Sequence, residues 1–193
     1  MNYLAHVFLS CHDPKLMVGN FMADFLTTKE VAYQPDFIKE GIELHKNIDS
    51  FTDENSYVKD CIAIIRPSQK KYSPVVIDIL FDYFLIKNWI KYHPDSLSNF
   101  TQEVYVVLRD NVDYFPEKLK KIFPIMVEDD FLLSCKNEER IKLTFLRLKK
   151  RVKFANRLEE VYVDLQIHHD ALEANFLQFF PALIAHTQNF CRC

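Results

Sequence analysis

Glycine is almost absent from this chain, with only 2 among its 193 residues, at positions 19 and 41. Tight hairpins between antiparallel strands rely on glycine at turn positions that need a positive φ angle. A sheet-rich fold is therefore disfavoured, whereas a bundle of helices needs few such turns. The 5 cysteines include no CxxC pair, which argues against a small zinc-binding fold.

Long apolar runs and an excess of positive charge are also missing. No uninterrupted stretch of 18 apolar residues occurs, so no membrane span is expected. The formal net charge is −3 and the sequence pI is about 6.2, and this bulk charge does not favour binding to nucleic acid. We therefore expect a cytoplasmic protein, and its oligomeric state is left open.

What the chain does contain is apolar and aromatic residues in helical patterns. Hydrophobic residues make up 49% of the sequence and 17 residues are Phe. No repeat, linker or low-complexity tract interrupts them, so we predict a single all-α domain, a helical bundle over residues 1–193. The predicted helices that carry candidate site residues span 2–11, 14–28, 35–53, 54–68, 74–93 and 137–152, with one long or broken helical stretch at 156–190. The pair Arg66–Pro67 is expected to end the fourth of these helices.

A regular polar face lies within the segment 41–53. His45, Asp49 and Asp53 are spaced four residues apart, so they share one face of a helix. An imidazole and two carboxylates on one face can share a metal ion or a proton. An ordinary solvated helix face is the alternative interpretation.

A second pair of acids interrupts the most hydrophobic segment of the chain. Asp78 and Asp82 are also four residues apart, and they lie among Val, Ile, Leu and Phe. A carboxylate in such surroundings is costly unless it is paired or bound to a metal. Together with Asp24 and His45, these acids favour an oxygen- and nitrogen-liganded divalent ion such as Mn²⁺, Mg²⁺ or Fe²⁺. Such an ion polarises a phosphoryl oxygen and activates water, which suggests a phosphoester hydrolase.

Two features of the C-terminal half have both a functional and a structural interpretation. Asp164 and His168 are spaced so that the acid could orient the imidazole behind a metal ligand, or they could form a surface pair. Residues 140–157 contain eight basic residues and no acid. This basic stretch is either a solvated helix face or a docking surface for an acidic protein.

Five short motifs, taken in order along the chain, resemble the bacterial acyl carrier protein phosphodiesterases. Each motif is weak alone, but together they span nearly the whole sequence. They are Met-Asn-Tyr-Leu-Ala-His at 1–6, Gly-Asn-Phe-Met-Ala-Asp-Phe at 19–25, residues 41–53, Asp-Ile-Leu-Phe-Asp-Tyr-Phe-Leu at 78–85 with Trp89, and Asp-Leu-Gln-Ile-His-His-Asp-Ala-Leu-Glu at 164–173.

The resemblance implies an α-helical enzyme distantly similar to HD-type metal phosphohydrolases. Such an enzyme hydrolyses the phosphodiester that joins 4′-phosphopantetheine to a serine of holo-acyl carrier protein. It depends on a divalent metal, typically Mn²⁺. Its substrate is a small and strongly acidic protein, which would suit the basic stretch 140–157.

The resemblance also implies roles for individual residues. The metal ligands would be Asp24, His45 and Asp82. Asp49 and Asp78 would be further ligands or the base that orients the attacking water, and His6 would line the site. The substrate-binding residues would be Asn20, Arg66, Lys149, Lys150 and Arg151, with Asp164 and His168 behind the ligands. The literal adjacent His-Asp pair of HD enzymes is absent on this helix, because Lys46 follows His45.

Two other functions compete with this expectation. One is an HD-like phosphohydrolase that acts on a nucleotide or a small phosphoester. The other is a non-catalytic helical module that binds an acidic protein through residues 140–157. A test of whether the protein hydrolyses holo-acyl carrier protein distinguishes both competing functions from the leading expectation.

Overall fold

The fold, in a computed structural model that describes residues 1–190, is built from helices and short 3₁₀ turns, and no strand occurs in that range. The all-α prediction is therefore confirmed. The helices, in chain order, are α1 (Tyr3–Phe8), α2 (Pro14–Met22), α3 (Thr28–Ala32), α4 (Asp36–Glu54), α5 (Ser56–Gln69), α6 (Ser73–Lys87), α7 (Leu97–Asp110), α8 (Glu117–Glu128), α9 (Glu138–Arg151) and α10 (Val161–Thr187).

Phenylalanine dominates one continuous hydrophobic core. Seven Phe side chains are almost completely buried in it, which explains why the sequence holds so many. Full burial of a side chain of this size stabilises the fold by about 1.5–3 kcal/mol relative to exposure. They are Phe21, Phe81, Phe84, Phe145, Phe176, Phe179 and Phe180. The longest helix, α10, packs against α5, α4 and α6 and supplies three of these rings.

The two glycines of the chain meet where α2 crosses α4. A Cβ added to Gly41 would lie 2.7 Å from the Cα of Gly19 and 2.8 Å from the main-chain nitrogen of Asn20, and closer still to the carbonyl oxygen of Leu16. No real side chain tolerates such distances. Glycine therefore allows the two backbones to touch, and this contact brings the end of α2 beside the middle of α4.

The predicted helix 54–68 agrees with α5 (Ser56–Gln69) to within two residues, but the predicted helices 14–28 and 74–93 are too long. In place of 74–93, α6 ends at Lys87 and a short 3₁₀ turn follows it. The helix expected over 14–28 ends at Met22, and a separate α3 begins because Thr27 and Glu30 form a capping box. Pro67 does not end the fourth predicted helix, since α5 continues to Gln69. Pro67 lies in the last turn of α5, where its missing N–H removes only one intrahelical hydrogen bond.

Within residues 1–190, no helix combines the length and the apolar character needed to cross a bilayer.

Candidate metal centre

Two stacked imidazoles form the middle of the candidate site. His6 from α1 and His45 from α4 have ring centroids 4.0 Å apart, and their planes differ by 12°. Both side chains are buried, with 3% and 6% of their surface exposed. The helix α1 is only six residues long, so it places His6 over α4 without extending past the site.

Asp49 joins the two imidazoles. Its Oδ1 lies 3.3 Å from Nε2 of His6, and its Oδ2 lies 3.2 Å from Nε2 of His45. His45 and Asp49 are one turn apart on α4, as the sequence spacing predicts. Asp24, from the 3₁₀ turn that follows α2, lies 3.3 Å from the same Nε2 of His45. Asp53, one turn further along α4, is exposed.

The Nδ1 sides of both imidazoles contact one residue, Asn20. Nδ1 of His6 lies 2.8 Å from the side-chain oxygen of Asn20, and Nδ1 of His45 lies 2.9 Å from its main-chain oxygen. Asn20 is completely buried. It lies behind the imidazoles rather than on a surface that could meet a substrate, which differs from the substrate-binding role that the resemblance implied.

The protonation of the two imidazoles differs because their surroundings differ. Burial disfavours a charged ring at His6 and lowers the pKa of His6 to about 4, although Asp49 opposes this shift. Burial also opposes the charge on His45, but Asp24 and Asp49 together outweigh it and raise the pKa of His45 to about 9. The same contact with His45 is the main cause of a lowered pKa at Asp24.

These groups meet the requirements of a divalent cation. His6, His45 and Asp49 each offer one ligand atom, and the three atoms lie within 4.8 Å of one another. Nε2 of His6 is buried without a hydrogen-bond partner in residues 1–190. An unpaired buried nitrogen beside a carboxylate oxygen is costly unless a cation lies between them. Two imidazoles and a carboxylate are donors that suit a divalent transition metal.

Asp78 reaches this group through the amino group of Met1. The nitrogen of Met1 lies 3.2 Å from Oδ1 of Asp49 and 3.2 Å from Oδ1 of Asp78. Burial raises the pKa of the Asp78 carboxyl, and the nearby amino group only partly opposes this effect. For Asp49, burial favours the neutral acid, but its contact with His45 and the charge of the Met1 amino group lower its pKa overall.

Asp82, which the resemblance named as a ligand, has a different environment. It is buried on α6, where it accepts hydrogen bonds from the main-chain nitrogens of Leu4 and Ala5, at 3.1 and 3.0 Å, and from the side chain of Asn2, at 2.8 Å. These are the N–H groups that a helix N-cap normally satisfies. Asp82 therefore holds the start of α1. This position does not favour the predicted role of Asp82 as a direct metal ligand.

The predicted residues of the C-terminal half lie mostly elsewhere. Asp164 accepts hydrogen bonds from Ser68 and Gln69, at 2.7 and 2.6 Å, and so ties α10 to the end of α5. His168, which follows Asp164 by one turn of α10, is partly buried there. Arg66 is exposed on α5. No ion pair or hydrogen bond within the described chain links Arg66, Asp164 or His168 to the two imidazoles.

The basic stretch 140–157 is partly neutralised by acids from outside it. Arg140 and Arg147 both pair with Asp129, Lys142 pairs with Glu138, Lys149 with Glu159 at 2.6 Å, and Arg157 with Glu160.

Lys150 and Arg151 are exposed and have no ion pair with any residue in 1–190. Arg151 is the last residue of α9. Burial raises the pKa of Tyr3 to about 12, and the charges of Asp24 and Arg151 act on it in opposite directions. Both charges are therefore within electrostatic reach of the Tyr3 hydroxyl.

Sequence reasoning missed two contributors to this site. The amino group of Met1 bridges Asp49 and Asp78, and no side-chain pattern could reveal it. The contact between Gly19 and Gly41 aligns α2 with α4, and its only signal in the sequence was the rarity of glycine.

Comparison with known proteins identifies relatives along the whole chain. The family described as "Acyl carrier protein phosphodiesterase" matches residues 1–183. A protein of that name from Enterobacter sp. (strain 638) is 27% identical over an alignment of 194 positions that covers 98% of this chain and 98% of the relative. One from Escherichia coli O6:H1 is 28% identical over 190 residues, covering 95% of this chain and 96% of the relative. No solved structure matches.

Proposed function

The chain belongs to the acyl carrier protein phosphodiesterase family, and from that premise we propose that it hydrolyses holo-acyl carrier protein to the apo form. The bond cleaved is the phosphodiester between 4′-phosphopantetheine and a serine of the carrier. We propose that residues 1–193 act as a single catalytic domain in the cytoplasm. The main support is the family match over residues 1–183 together with the clustered donors of His6, His45 and Asp49.

We further propose that His6, His45 and Asp49 hold a divalent metal, with Mn²⁺ as the leading candidate and Mg²⁺ or Fe²⁺ as alternatives. Imidazole nitrogen favours transition metals over Mg²⁺, which usually retains oxygen ligands and water. When bound, such an ion supplies a Lewis acid that polarises the phosphoryl group and lowers the pKa of water. Asp24 contacts His45 from the exposed side and could complete the ligand set, since 62% of its side chain is accessible.

Asp78 is our candidate for the group that receives the proton of the attacking water. Burial raises its pKa, and a carboxylate with a raised pKa is a better base near neutral pH than an ordinary aspartate. As the water oxygen bonds to phosphorus, the bond from phosphorus to the serine oxygen breaks. The serine oxygen takes up a proton from solvent, Asp78 returns its proton to solvent, and the phosphate stays on pantetheine, so that water has supplied OH to phosphorus and H to serine.

The exposed cations at the end of α9 would meet an acidic carrier. Lys150 and Arg151 have no acidic partner within residues 1–190, unlike Lys149, which pairs with Glu159. A patch of one sign attracts a partner of the opposite sign and speeds encounter. We therefore assign docking of the carrier to the end of α9 rather than to the whole stretch 140–157.

The proposal is tested by mass spectrometry of the carrier. Incubation of holo-acyl carrier protein with the protein and Mn²⁺ should lower the carrier mass by one phosphopantetheine. Asp49→Asn should reduce the rate by at least about a hundredfold, because it removes a charged donor that contacts both imidazoles. Asp53→Asn is the matched control, since Asp53 lies one turn further along α4 and is exposed. Its charge is the smallest of the effects that act on the pKa of Asp78, so the rate should change by less than about threefold.

Two outcomes would contradict the proposal. If the carrier keeps its mass while nucleotides or small phosphoesters are hydrolysed, the enzyme has a different substrate. If the carrier binds but nothing is hydrolysed under any metal, the chain is a binding module. Equal activity of the Asp49→Asn and Asp53→Asn variants would remove Asp49 from the reaction.

A further inference from the structure

The hydrogen bond behind His45 determines which of its nitrogens carries a proton. Nδ1 of His45 lies 2.9 Å from the main-chain oxygen of Asn20. A main-chain carbonyl oxygen can only accept a hydrogen bond. Nδ1 of His45 is therefore the donor, and a neutral His45 ring must keep its lone pair on Nε2.

The orientation of the Asn20 side chain follows from a second main-chain oxygen. The Asn20 amide places one end 2.7 Å from the carbonyl oxygen of His6 and 3.0 Å from Oγ of Ser10. The carbonyl oxygen of His6 can only accept, so this end of the amide is the NH₂ group. The other end, the amide oxygen, then lies 2.8 Å from Nδ1 of His6, and that nitrogen must donate.

Both imidazoles thus receive the same tautomer from one residue. In each ring, Nδ1 donates to Asn20 and Nε2 is left to face Asp49. We propose that Asn20 is a positioning residue that fixes the tautomers of His6 and His45, so that both Nε2 lone pairs point to one metal position. The inference deepens the proposed function and rests on it only for the identity of the metal.

The packing of α2 against α4 makes this double role possible. Asn20 follows Gly19, and the contact of Gly19 with Gly41 brings the α2 backbone close to the helix that carries His45. A main-chain oxygen in the last turn of a helix has no N–H partner within that helix. Here the free acceptor is used by an imidazole of the neighbouring helix, while the side chain of the same residue serves the other imidazole.

Replacement of the Asn20 side chain alone should change the tautomer of His6 and leave that of His45 unchanged. Asn20→Leu removes the acceptor of His6 but keeps the main-chain oxygen that serves His45. Nitrogen NMR of ¹⁵N-histidine-labelled, metal-free protein at pH 7 reports which ring nitrogen is protonated. In the parent protein we expect His6 with its proton on Nδ1. In Asn20→Leu we expect the Nε2–H form, because Nε2 can then donate to Asp49, 3.3 Å away. The Nδ1–H signal of His45 should persist.

Metal affinity gives an independent measurement. A proton on Nε2 of His6 must be displaced before a metal can bind, so Asn20→Leu should weaken Mn²⁺ binding by about 10–100-fold. Asn88→Leu is the matched control, because Asn88 is also a buried amide that bonds a main-chain oxygen, at 3.0 Å, yet it contacts no imidazole. Asn88→Leu should lose stability but keep the parent Mn²⁺ affinity.

Three results would overturn the inference. The first is a His6 that stays protonated on Nδ1 in Asn20→Leu. The second is a change at both imidazoles together, which would indicate general loss of structure. The third is an equal loss of Mn²⁺ affinity in Asn20→Leu and Asn88→Leu. The tautomers are measured without metal or substrate. The protein can therefore show the expected tautomers even if it does not cleave holo-acyl carrier protein, so either proposal can fail while the other holds.

Discussion

At the scale of single residues, His6 and His45 have the same chemistry but different charge at neutral pH. His6, with a pKa of about 4, is neutral, because burial outweighs the attraction of Asp49. His45, with a pKa of about 9, is charged, because two carboxylates flank it. In the absence of metal, the proton on His45 takes the place of the cation between Asp24 and Asp49.

Metal binding should therefore release one proton at pH 7. Nε2 of His45 must lose its proton to become a ligand, whereas Nε2 of His6 has none to lose. Affinity for Mn²⁺ should rise about tenfold per pH unit between pH 6 and 8, because the pKa of His45 lies above this range and that of His6 below it. Calorimetry at pH 7 in two buffers of different ionisation enthalpy measures the number of protons released. A value of zero would exclude His45 as a ligand.

At the scale of helices, two contacts set the geometry of the site. Asp82 on α6 satisfies the first N–H groups of α1 and so fixes the helix that carries His6. Burial raises the pKa of Asp82 to about 7, and its hydrogen bonds to Ala5 and Leu4 oppose that rise. The carboxylate recognised as a ligand candidate from the sequence thus supports a site residue from another helix.

The second contact, between Gly19 and Gly41, predicts that one added methyl group will disturb the site. Gly41→Ala would place a Cβ 2.8 Å from the main-chain nitrogen of Asn20, so α2 must move away from α4. The bond from His45 to the main-chain oxygen of Asn20 would lengthen, and Mn²⁺ affinity should fall by about tenfold or more. Unfolding should also become easier by about 1–3 kcal/mol.

Ala63→Gly provides the comparison for this substitution, since it weakens an exposed position of α5 by about 1 kcal/mol without forcing two helices apart. Titration with Mn²⁺ and thermal unfolding measure both variants. A Gly41→Ala protein with parent Mn²⁺ affinity would show that the close approach of the helices is not needed by the site.

At the scale of the whole molecule, charge is distributed unevenly on a chain with a net charge of −3. Acids from other segments neutralise much of the basic stretch, and the cations left unpaired within residues 1–190 include Lys150 and Arg151 at the end of α9. The sequence showed only the excess of basic residues. Where unpaired positive charge remains on the surface depends on which acids the fold brings to α9.

Arg151→Ala should raise the KM for holo-acyl carrier protein by about three- to tenfold and leave kcat within about twofold, since a charge at the rim of an interface acts on encounter. The effect should disappear at high salt, where exposed charges are screened. Lys142→Ala is the control, because Lys142 is already paired with Glu138 and should change KM little. Steady-state kinetics at two salt concentrations measure both variants. Equal KM values for the two variants would show that the carrier does not dock at the end of α9.

The sequence by itself determined the all-α class, the shared helix face of His45 and Asp49, and the family. Helical periodicity and short motifs are local, so they can be read from neighbouring residues. Only the tertiary structure decided that His6 stacks on His45, that Asn20 serves both rings, and that Asp82 caps α1. These relations join residues that are 14 to 78 positions apart in the chain. They depend on how closely α1, α2, α4 and α6 pack, and that packing is set by side-chain shape and by the contact of two glycines rather than by local sequence periodicity.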